Sequence, residues 1–234
     1  MSPALQGSLF AATEETALRP LDLVRREQLD TGAWIDVLPG WLTGADSLFE
    51  RLVSAVPWRA ERRHMYDRTV DVPRLLSFYD EEDLLPEPVL DEARAALTEH
   101  YGAELGEPFR TAGLCFYRDG GDSVAWHGDT IGRGSTEDTM VAILSVGAPR
   151  ALLLRPRARQ AGRGTGGRPG AAGTEGATAA AATSGHGTVR RALGHGDLIV
   201  MGGACQRTWE HAIPKTSKPV GPRISIQFRP RGVR

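Results

Sequence analysis

Two segments of the chain carry apolar residues at the spacing of an α-helix. The first lies between residues 36 and 58, where a capping segment at 43–46 precedes a helical pattern that Pro57 ends. The second covers residues 86–101 and has Pro88 near its beginning, a position that proline favours in helices. We therefore expect two helices in the N-terminal half of the chain.

From Gly113 onward the pattern changes to short apolar runs that end at glycine-rich turns. The predicted strands cover residues 114–117, 139–146, 151–154, 198–201 and 223–229. In the last strand, Ile224, Ile226 and Phe228 alternate with polar residues, so apolar and polar side chains face opposite sides. Short strands that follow N-terminal helices predict an α+β, mainly β fold: a jelly roll (double-stranded β-helix) with helices on one face.

Two segments differ from this pattern. Residues 62–79 interleave arginines with large apolar and aromatic side chains, and Val70, Val72 and Pro73 favour extended or hairpin structure. Residues 158–187 consist mainly of Gly, Ala, Thr and Arg, which cannot bury enough surface to offset the entropy of ordering. We predict a disordered insertion there, at the tip of a hairpin with arms at 151–154 and 189–193. It lacks the Gly-Lys-Ser/Thr ending of a P-loop, so nucleotide binding is not expected.

Composition narrows the class of protein. The chain has 234 residues, 41% of them hydrophobic, which is enough for one domain with a sizeable core. The formal net charge of −1 indicates no bulk attraction to nucleic acid, so any basic surface would be local. Cys115 and Cys205 give no disulfide framework, and no apolar stretch is long enough to span a bilayer. We expect a soluble, cytoplasmic monomer without membrane contact, with a tail and lead-in at residues 1–33 and one domain at 34–230.

The chemistry-bearing residues begin with Trp126-His127-Gly128-Asp129. On an extended chain His127 and Asp129 face the same side, and a second histidine, His211, lies far downstream. Two imidazoles and one carboxylate form a facial triad that suits non-haem Fe(II) and leaves positions open for a chelating cosubstrate and dioxygen. We predict that His127, Asp129 and His211 bind iron.

The same His-Gly-Asp spelling occurs a second time, at residues 195–197. That copy opens directly into the apolar run 198–201, and an aspartate that fixes a turn before a strand explains it without a metal. The first copy has His211 and two arginines behind it, which favours it as the metal site. Arg223 and Arg229 share the polar face of the last predicted strand, and inward-facing arginines there are explained by a bound dicarboxylate.

These motifs resemble the AlkB-type dealkylating dioxygenases. The resemblance is carried by four stretches and extends over about residues 34–230, apart from the insertion; the stretches are Leu114-Cys115-Phe116-Tyr117, Trp126-His127-Gly128-Asp129, His195 to Gly203, and His211-Ala212-Ile213-Pro214 leading to Arg223 to Arg229. It implies iron bound by His127, Asp129 and His211, and 2-oxoglutarate bound by Tyr117, Arg223 and Arg229.

The resemblance also implies an activity. AlkB-type enzymes use dioxygen to decarboxylate 2-oxoglutarate to succinate while they hydroxylate an N-methyl group, which leaves as formaldehyde from DNA or RNA. The substrate would be single-stranded or would have its base flipped out. Two positions depart from the family: Cys115 stands where an asparagine is frequent, and Ile131 stands where several members carry an acidic residue that helps to read the damaged base.

In the family, the region around residues 62–80 forms a lid that recognises the nucleotide. The residues that we expect to contact substrate are Arg62, Met65, Tyr66, Arg74, Phe78, Tyr79 and Trp126. The alternative is that Phe78 and Tyr79 pack in the core and that the arginines form a solvated surface. Ile131 keeps a second function open, hydroxylation of a tRNA, protein or small-molecule substrate, and a third hypothesis is a catalytically silent binding module.

Overall fold

A computed structural model describes residues 15–65, 68–130, 132–157 and 187–233. Within these ranges the chain forms strands β1 (Ala17–Leu18), β2 (Arg25–Gln28), β3 (Ala33–Leu38), β4 (Leu42–Thr43), β5 (Arg59–Met65), β6 (Arg68–Tyr79), β7 (Thr111–Tyr117), β8 (Val124–His127), β9 (Val141–Gly147), β10 (Arg150–Pro156), β11 (Val189–Leu193), β12 (Asp197–Gly203), β13 (Trp209–Ile213) and β14 (Arg223–Arg229). The helices are α1 (Ala45–Ala55), α2 (Pro88–Leu105) and α3 (Cys205–Thr208), with short 3-10 turns at Leu21–Leu23, Asp30–Gly32 and Arg133–Ser135.

Two antiparallel sheets organise the described part of the chain. The large sheet has eight strands in the order β2-β3-β12-β9-β14-β7-β6-β5, and the small sheet has four in the order β11-β10-β13-β8. A short pair, β1 with β4, lies apart from both. Strands distant in sequence are neighbours in both sheets, which is how a jelly roll brings β8 and β13 together. The predicted mainly β fold is confirmed.

The helices cover one face of the large sheet. Leu48 and Leu52 of α1 and Leu90 and Leu97 of α2 are fully buried in one hydrophobic cluster with the apolar residues of β14. Both helices were predicted, although α2 continues to Leu105, four residues beyond the predicted end. The space between the two sheets holds a second apolar cluster, and the candidate site opens from this space.

Alternate side chains of β14 face opposite sides of the large sheet. Ile224, Ile226 and Phe228 pack under the helices, and Arg223 and Arg229 face the space between the sheets. The strand pairs with β7 and β9 on both sides, so its register is fixed and its polar row cannot turn away. The predicted division of this strand into an apolar and a polar face is therefore correct.

Three segments with predicted features lie partly or wholly outside the described residues. Residues 66–67 join β5 to β6 in the predicted lid and lie outside the described residues, as do residues 1–14 of the predicted tail and residues 158–186 of the predicted insertion. The hairpin that flanks the insertion is present, because β10 pairs with β11 from Arg150 opposite Leu193 to Leu154 opposite Val189. No helix among the described residues is both long enough and apolar enough to cross a membrane.

Gly202 in β12 should not tolerate a side chain. A Cβ there would lie 2.1 Å from the Trp34 indole, which is 5% exposed and stacks on Tyr101. We expect Gly202→Ala to lower the free energy of unfolding by about 1–3 kcal/mol through overpacking, measured by chemical denaturation. Gly102→Ala is the control: it lies in α2 facing open space and should stabilise by roughly 0.5–1 kcal/mol. Equal stability of Gly202→Ala and the parent chain would contradict this prediction.

Candidate active site

A cavity of about 1020 Å³ lies between the two sheets. Its walls come from β5, β6, β7, β9 and β14 of the large sheet and from β8, β10, β11 and β13 of the small sheet. His127, Asp129 and His211 line it together with Tyr117, Arg223 and Arg229, so one cavity collects all six residues predicted for iron and 2-oxoglutarate.

The two predicted histidine ligands are neighbours across the small sheet. His127 ends β8 and is paired in register with His211 of β13, with ring centroids 4.2 Å apart. The Nδ1 atom of His127 lies 2.9 Å from the Ala125 carbonyl oxygen, which fixes the ring and leaves Nε2 for a ligand. Burial, followed by the nearby His127, lowers the pKa of His211 to about 3, so its imidazole is neutral at physiological pH.

Asp129 stands two residues beyond His127 and is 4% exposed. Its Oδ1 accepts a hydrogen bond of 3.2 Å from Arg229 Nη2, whereas its buried Oδ2 has no hydrogen-bond partner among the described residues. Burial alone would raise the pKa of this carboxyl, but Arg229, His211 and His127 together hold it below its usual value. Asp129 is therefore ionised, and one of its oxygens can accept a cation.

The donor set fits Fe(II) in chemical terms. No three His, Cys, Asp or Glu side chains in the described ranges already surround a common metal position, and the Asp129 carboxylate is engaged by Arg229. Even so, two imidazoles and a carboxylate oxygen without a partner among the described residues are the ligands of a facial triad. A cation at Asp129 Oδ2 would use the oxygen that Arg229 leaves free.

A second part of the cavity wall is a cationic group of side chains around Tyr117. The Tyr117 side chain is buried among three guanidinium groups, those of Arg223, Arg74 and Arg150. Burial, followed by the influence of Cys115, raises the pKa of Tyr117 to about 12, so the phenol stays protonated and can donate a hydrogen bond. A protonated hydroxyl among several arginines suits a dicarboxylate.

Arg223 has capacity for such a ligand. It is 1% exposed, and its Nη2 donates to Ser145 Oγ at 2.8 Å. Its buried Nε and Nη1 have no hydrogen-bond partner within the described residues. Burial, the main cause, lowers the pKa of Arg223, and the neighbouring Tyr117 and Cys115 offset this only in part. An anion at these two atoms would satisfy them.

Arg229 is held in place by a small polar network. Gln227 Oε1 accepts a hydrogen bond from Arg229 Nη2, and Gln227 Nε2 lies 3.4 Å from Cys115 Sγ and 3.3 Å from Ser225 Oγ. Cys115, at the sequence position where AlkB-type enzymes often carry an asparagine, therefore acts as a weak hydrogen-bond acceptor for Gln227. The network links the predicted cosubstrate arginine to the predicted iron carboxylate.

The predicted substrate residues divide into three groups. Arg74, Phe78 and Tyr79 of β6 line the cavity. Trp126 does not: it precedes His127 in β8, faces the opposite side, and stacks under Arg155 at 4.2 Å. The side chains of Arg62 and Met65 in β5 are not described, and Tyr66 and Ile131 lie outside the described residues.

The Arg74 side chain lies inside the cavity wall and not at a position where it was expected to contact a substrate phosphate. It lies beside Cys115 and Tyr117, and its Nη1 donates to the Ser123 carbonyl oxygen at 3.1 Å. Sequence reasoning missed Arg150, which is 4% exposed and donates to the carbonyl oxygens of Asp119, Asp122 and Pro214. No sequence signal marks Arg150, whereas Gln227 could have been found because it shares the parity of Arg223 and Arg229.

The second His-Gly-Asp sequence has structural contacts. Asp197 accepts hydrogen bonds from the backbone amides of Gly40 at 2.8 Å and Gly194 at 2.6 Å, and His195 Nδ1 accepts one from Gly147 at 2.7 Å. Neither residue lines the cavity. These contacts agree with the interpretation of this copy as a turn before a strand.

Comparison with known proteins identifies the class. The chain matches the 2OG-Fe(II) oxygenase superfamily over residues 35–229, and it belongs to that family. Membership confirms the predicted use of Fe(II), 2-oxoglutarate and dioxygen.

Particular relatives support an AlkB-like member of this family. The chain is 30% identical over 211 residues to the alpha-ketoglutarate-dependent dioxygenase alkB homolog 3 of Bos taurus, covering 83% of this chain and 66% of the relative. It is 28% identical over 203 residues to the protein of the same name from Homo sapiens, covering 80% of this chain and 64% of the relative. The chain thus spans a little under two thirds of the length of these relatives.

A solved oxidoreductase of the 2OG-Fe(II) oxygenase family from Burkholderia pseudomallei is 15% identical, with a TM-score of 0.48. The match covers 86% of this chain and 85% of that one.

Proposed function

We propose that this protein removes N-alkyl groups from bases in DNA or RNA, coupled to conversion of 2-oxoglutarate to succinate and release of formaldehyde. The observation that carries the proposal is a single cavity with three connected parts. The predicted iron ligands, the arginine-surrounded Tyr117, and Phe78 and Tyr79 of β6 all line this cavity. The similarity to alkB homolog 3 supports the same activity.

His127, Asp129 and His211 would hold Fe(II), and Arg223, Arg229 and Tyr117 would hold 2-oxoglutarate. Together with dioxygen, these groups supply the oxidation of a C–H bond, with loss of CO2 from the cosubstrate. An N-methyl carbon that gains a hydroxyl in this way becomes a hemiaminal. The hemiaminal breaks its C–N bond to give formaldehyde and returns the proton to the base nitrogen.

The residues of the chain position and shield these reactants. The protonated Tyr117 would donate a hydrogen bond to a cosubstrate carboxylate, and the buried guanidinium of Arg223 would pair with that carboxylate. The apolar residues Ile143, Leu152 and Ile213 line the interior of the cavity and limit the access of water. A volume of about 1020 Å³ is at the upper end of the range for small-molecule sites and accommodates a base beside the cosubstrate.

The mouth of the cavity favours an aromatic substrate group. Phe78 is 45% exposed although it lines the cavity, and Tyr79 is the next residue in the same wall. The exposed Phe78 ring suits stacking on a base that has left its helix or lies in a single strand, whereas Tyr79 is half-buried and packs partly against the core under the helices. We propose an unpaired or flipped base as the substrate, and a monomer as the active form.

The test is formaldehyde release from single-stranded oligonucleotides that contain N1-methyladenine or N3-methylcytosine. With Fe(II), 2-oxoglutarate and dioxygen, formaldehyde and succinate should form in a one-to-one ratio, and the unmethylated oligonucleotide should give no formaldehyde. Succinate formation that no methylated oligonucleotide stimulates would contradict the proposal. It would instead favour the alternative, a hydroxylase of a tRNA, protein or small-molecule substrate.

A further inference from the structure

We propose that Leu84 contacts the base that neighbours the target base in a single-stranded substrate. This inference rests on the proposed function and adds a second contact point at the mouth of the cavity. Leu84 lines the cavity and is 89% exposed, the largest exposure among the large hydrophobic residues described as exposed. The other three are Leu23, Val53 and Phe78, at 48%, 37% and 45%.

Hydrogen bonds and ion pairs stabilise the turn that immediately precedes Leu84. The backbone amide of Asp80 donates to Asp83 Oδ2 at 2.7 Å, and the backbone amide of Asp83 donates back to the Asp80 carbonyl oxygen at 3.1 Å. Glu81 forms ion pairs with Arg110 and with Arg231. Leu85 immediately after the turn is buried. These contacts hold the backbone on both sides of Leu84, so contact of its side chain with a ligand requires little ordering of the segment.

The charges around Leu84 select a base rather than a phosphate. Asp80, Glu82 and Asp83 lie on the same turn, and Asp83 itself lines the cavity. Carboxylates repel phosphates at distances within a Debye length, about 8 Å at physiological salt. A phosphate placed directly against Leu84 is therefore disfavoured, and the group that we expect to meet this side chain is an uncharged or cationic ring.

Phe78 extends this surface towards the reaction centre. It belongs to the same wall and lies within 4.0 Å of the position that a Cβ on Gly113 would occupy, and that same position is 3.0 Å from Arg229 Nη1. Leu84, Phe78 and Arg229, which donates a hydrogen bond to Asp129, all line this one cavity. A target base entering beside Phe78 leaves its neighbour next to Leu84.

The experiment is a two-by-two comparison of Leu84→Ser and the parent chain on two substrates. One substrate is a single-stranded oligonucleotide with a methylated base between normal nucleotides, and the other has abasic sites on both sides of the methylated base. On the first, Leu84→Ser should raise KM by about 5- to 10-fold with little change in kcat, as expected for loss of a buried leucine contact. On the second, the variant and the parent should agree within about twofold, because the partner of the contact is absent.

Leu23→Ser is the matched control, since Leu23 is also an exposed leucine but does not line the cavity. It should leave KM unchanged on both substrates, and Leu84→Met should restore nearly parental KM. An equal effect of Leu84→Ser on both substrates would overturn the inference. So would an unchanged KM accompanied by loss of a dimer in size-exclusion chromatography, which would assign Leu84 to a contact between copies of the chain.

The two proposals fail in different ways. If the parent chain releases no formaldehyde from any methylated oligonucleotide, both the proposed function and the role of Leu84 are overturned. If the parent chain is active and Leu84→Ser behaves like Leu23→Ser, only the role of Leu84 is overturned.

Discussion

Replacing His127 with alanine should abolish Fe(II) binding and turnover together while the fold is retained. His127 is a half-buried residue at the end of β8, and its ring lies 4.2 Å from that of His211. Loss of groups that merely orient a metal ligand weakens metal binding by about 10- to 100-fold, so loss of a ligand itself should exceed roughly 100-fold. The measurement is an anaerobic titration with Fe(II) in which binding is monitored by calorimetry. Succinate production is a second readout.

His195→Ala provides a control with the same local sequence. His195 begins the second His-Gly-Asp motif, but its Nδ1 accepts a hydrogen bond from Gly147 and its Nε2 faces Asp46 at 3.2 Å. We expect this variant to bind Fe(II) like the parent chain and to lose only a small part of the free energy of unfolding. Normal iron binding by His127→Ala, or complete loss of binding by a folded His195→Ala, would show that iron occupies the other motif.

Sequence alone could separate the two motifs because their downstream residues differ. The metal candidate has His211 and the arginine row of β14 downstream, and strict alternation in that strand places Arg223 and Arg229 on one face. The jelly-roll class is supported by the same kind of evidence, since short strands with fixed two-residue periodicity leave few alternatives. These inferences depend on local periodicity, which can be read directly from the amino-acid sequence.

The remaining features depend on tertiary placement that local pattern does not encode. Trp126 neighbours a predicted metal ligand in sequence, yet alternation turns it to the outside of the small sheet against Arg155. Arg74 and Arg150 reach Tyr117 from β6 and β10, strands that belong to different sheets. The exposure of Leu84 beside the cavity likewise depends on the fold, and no apolar periodicity indicates it.

Replacing Arg223 with methionine should weaken 2-oxoglutarate binding and, without cosubstrate, stabilise the fold. The buried Nε and Nη1 of Arg223 lack hydrogen-bond partners among the described residues, so the charge has lost water without full compensation. Exchange of such a group for an apolar one of similar volume raises stability by about 1–4 kcal/mol in comparable cases. Removal of one member of a buried charge pair weakens binding by about 2–5 kcal/mol, so the Kd for 2-oxoglutarate should rise by roughly 30-fold or more.

Arg150→Met should have the opposite effect on stability, although Arg150 is also buried near Tyr117. Its guanidinium donates to three carbonyl oxygens, and methionine would leave these acceptors unsatisfied, with a loss of about 1–3 kcal/mol for each that water cannot reach. Thermal melts with and without 2-oxoglutarate distinguish the two arginines. Arg223→Met should melt higher than the parent alone and gain little from added cosubstrate, whereas Arg150→Met should melt lower. A ligand-binding role explains why removal of this buried cation should stabilise the protein without cosubstrate. If Arg223→Met instead melts lower than the parent and binds 2-oxoglutarate normally, Arg223 has a structural role.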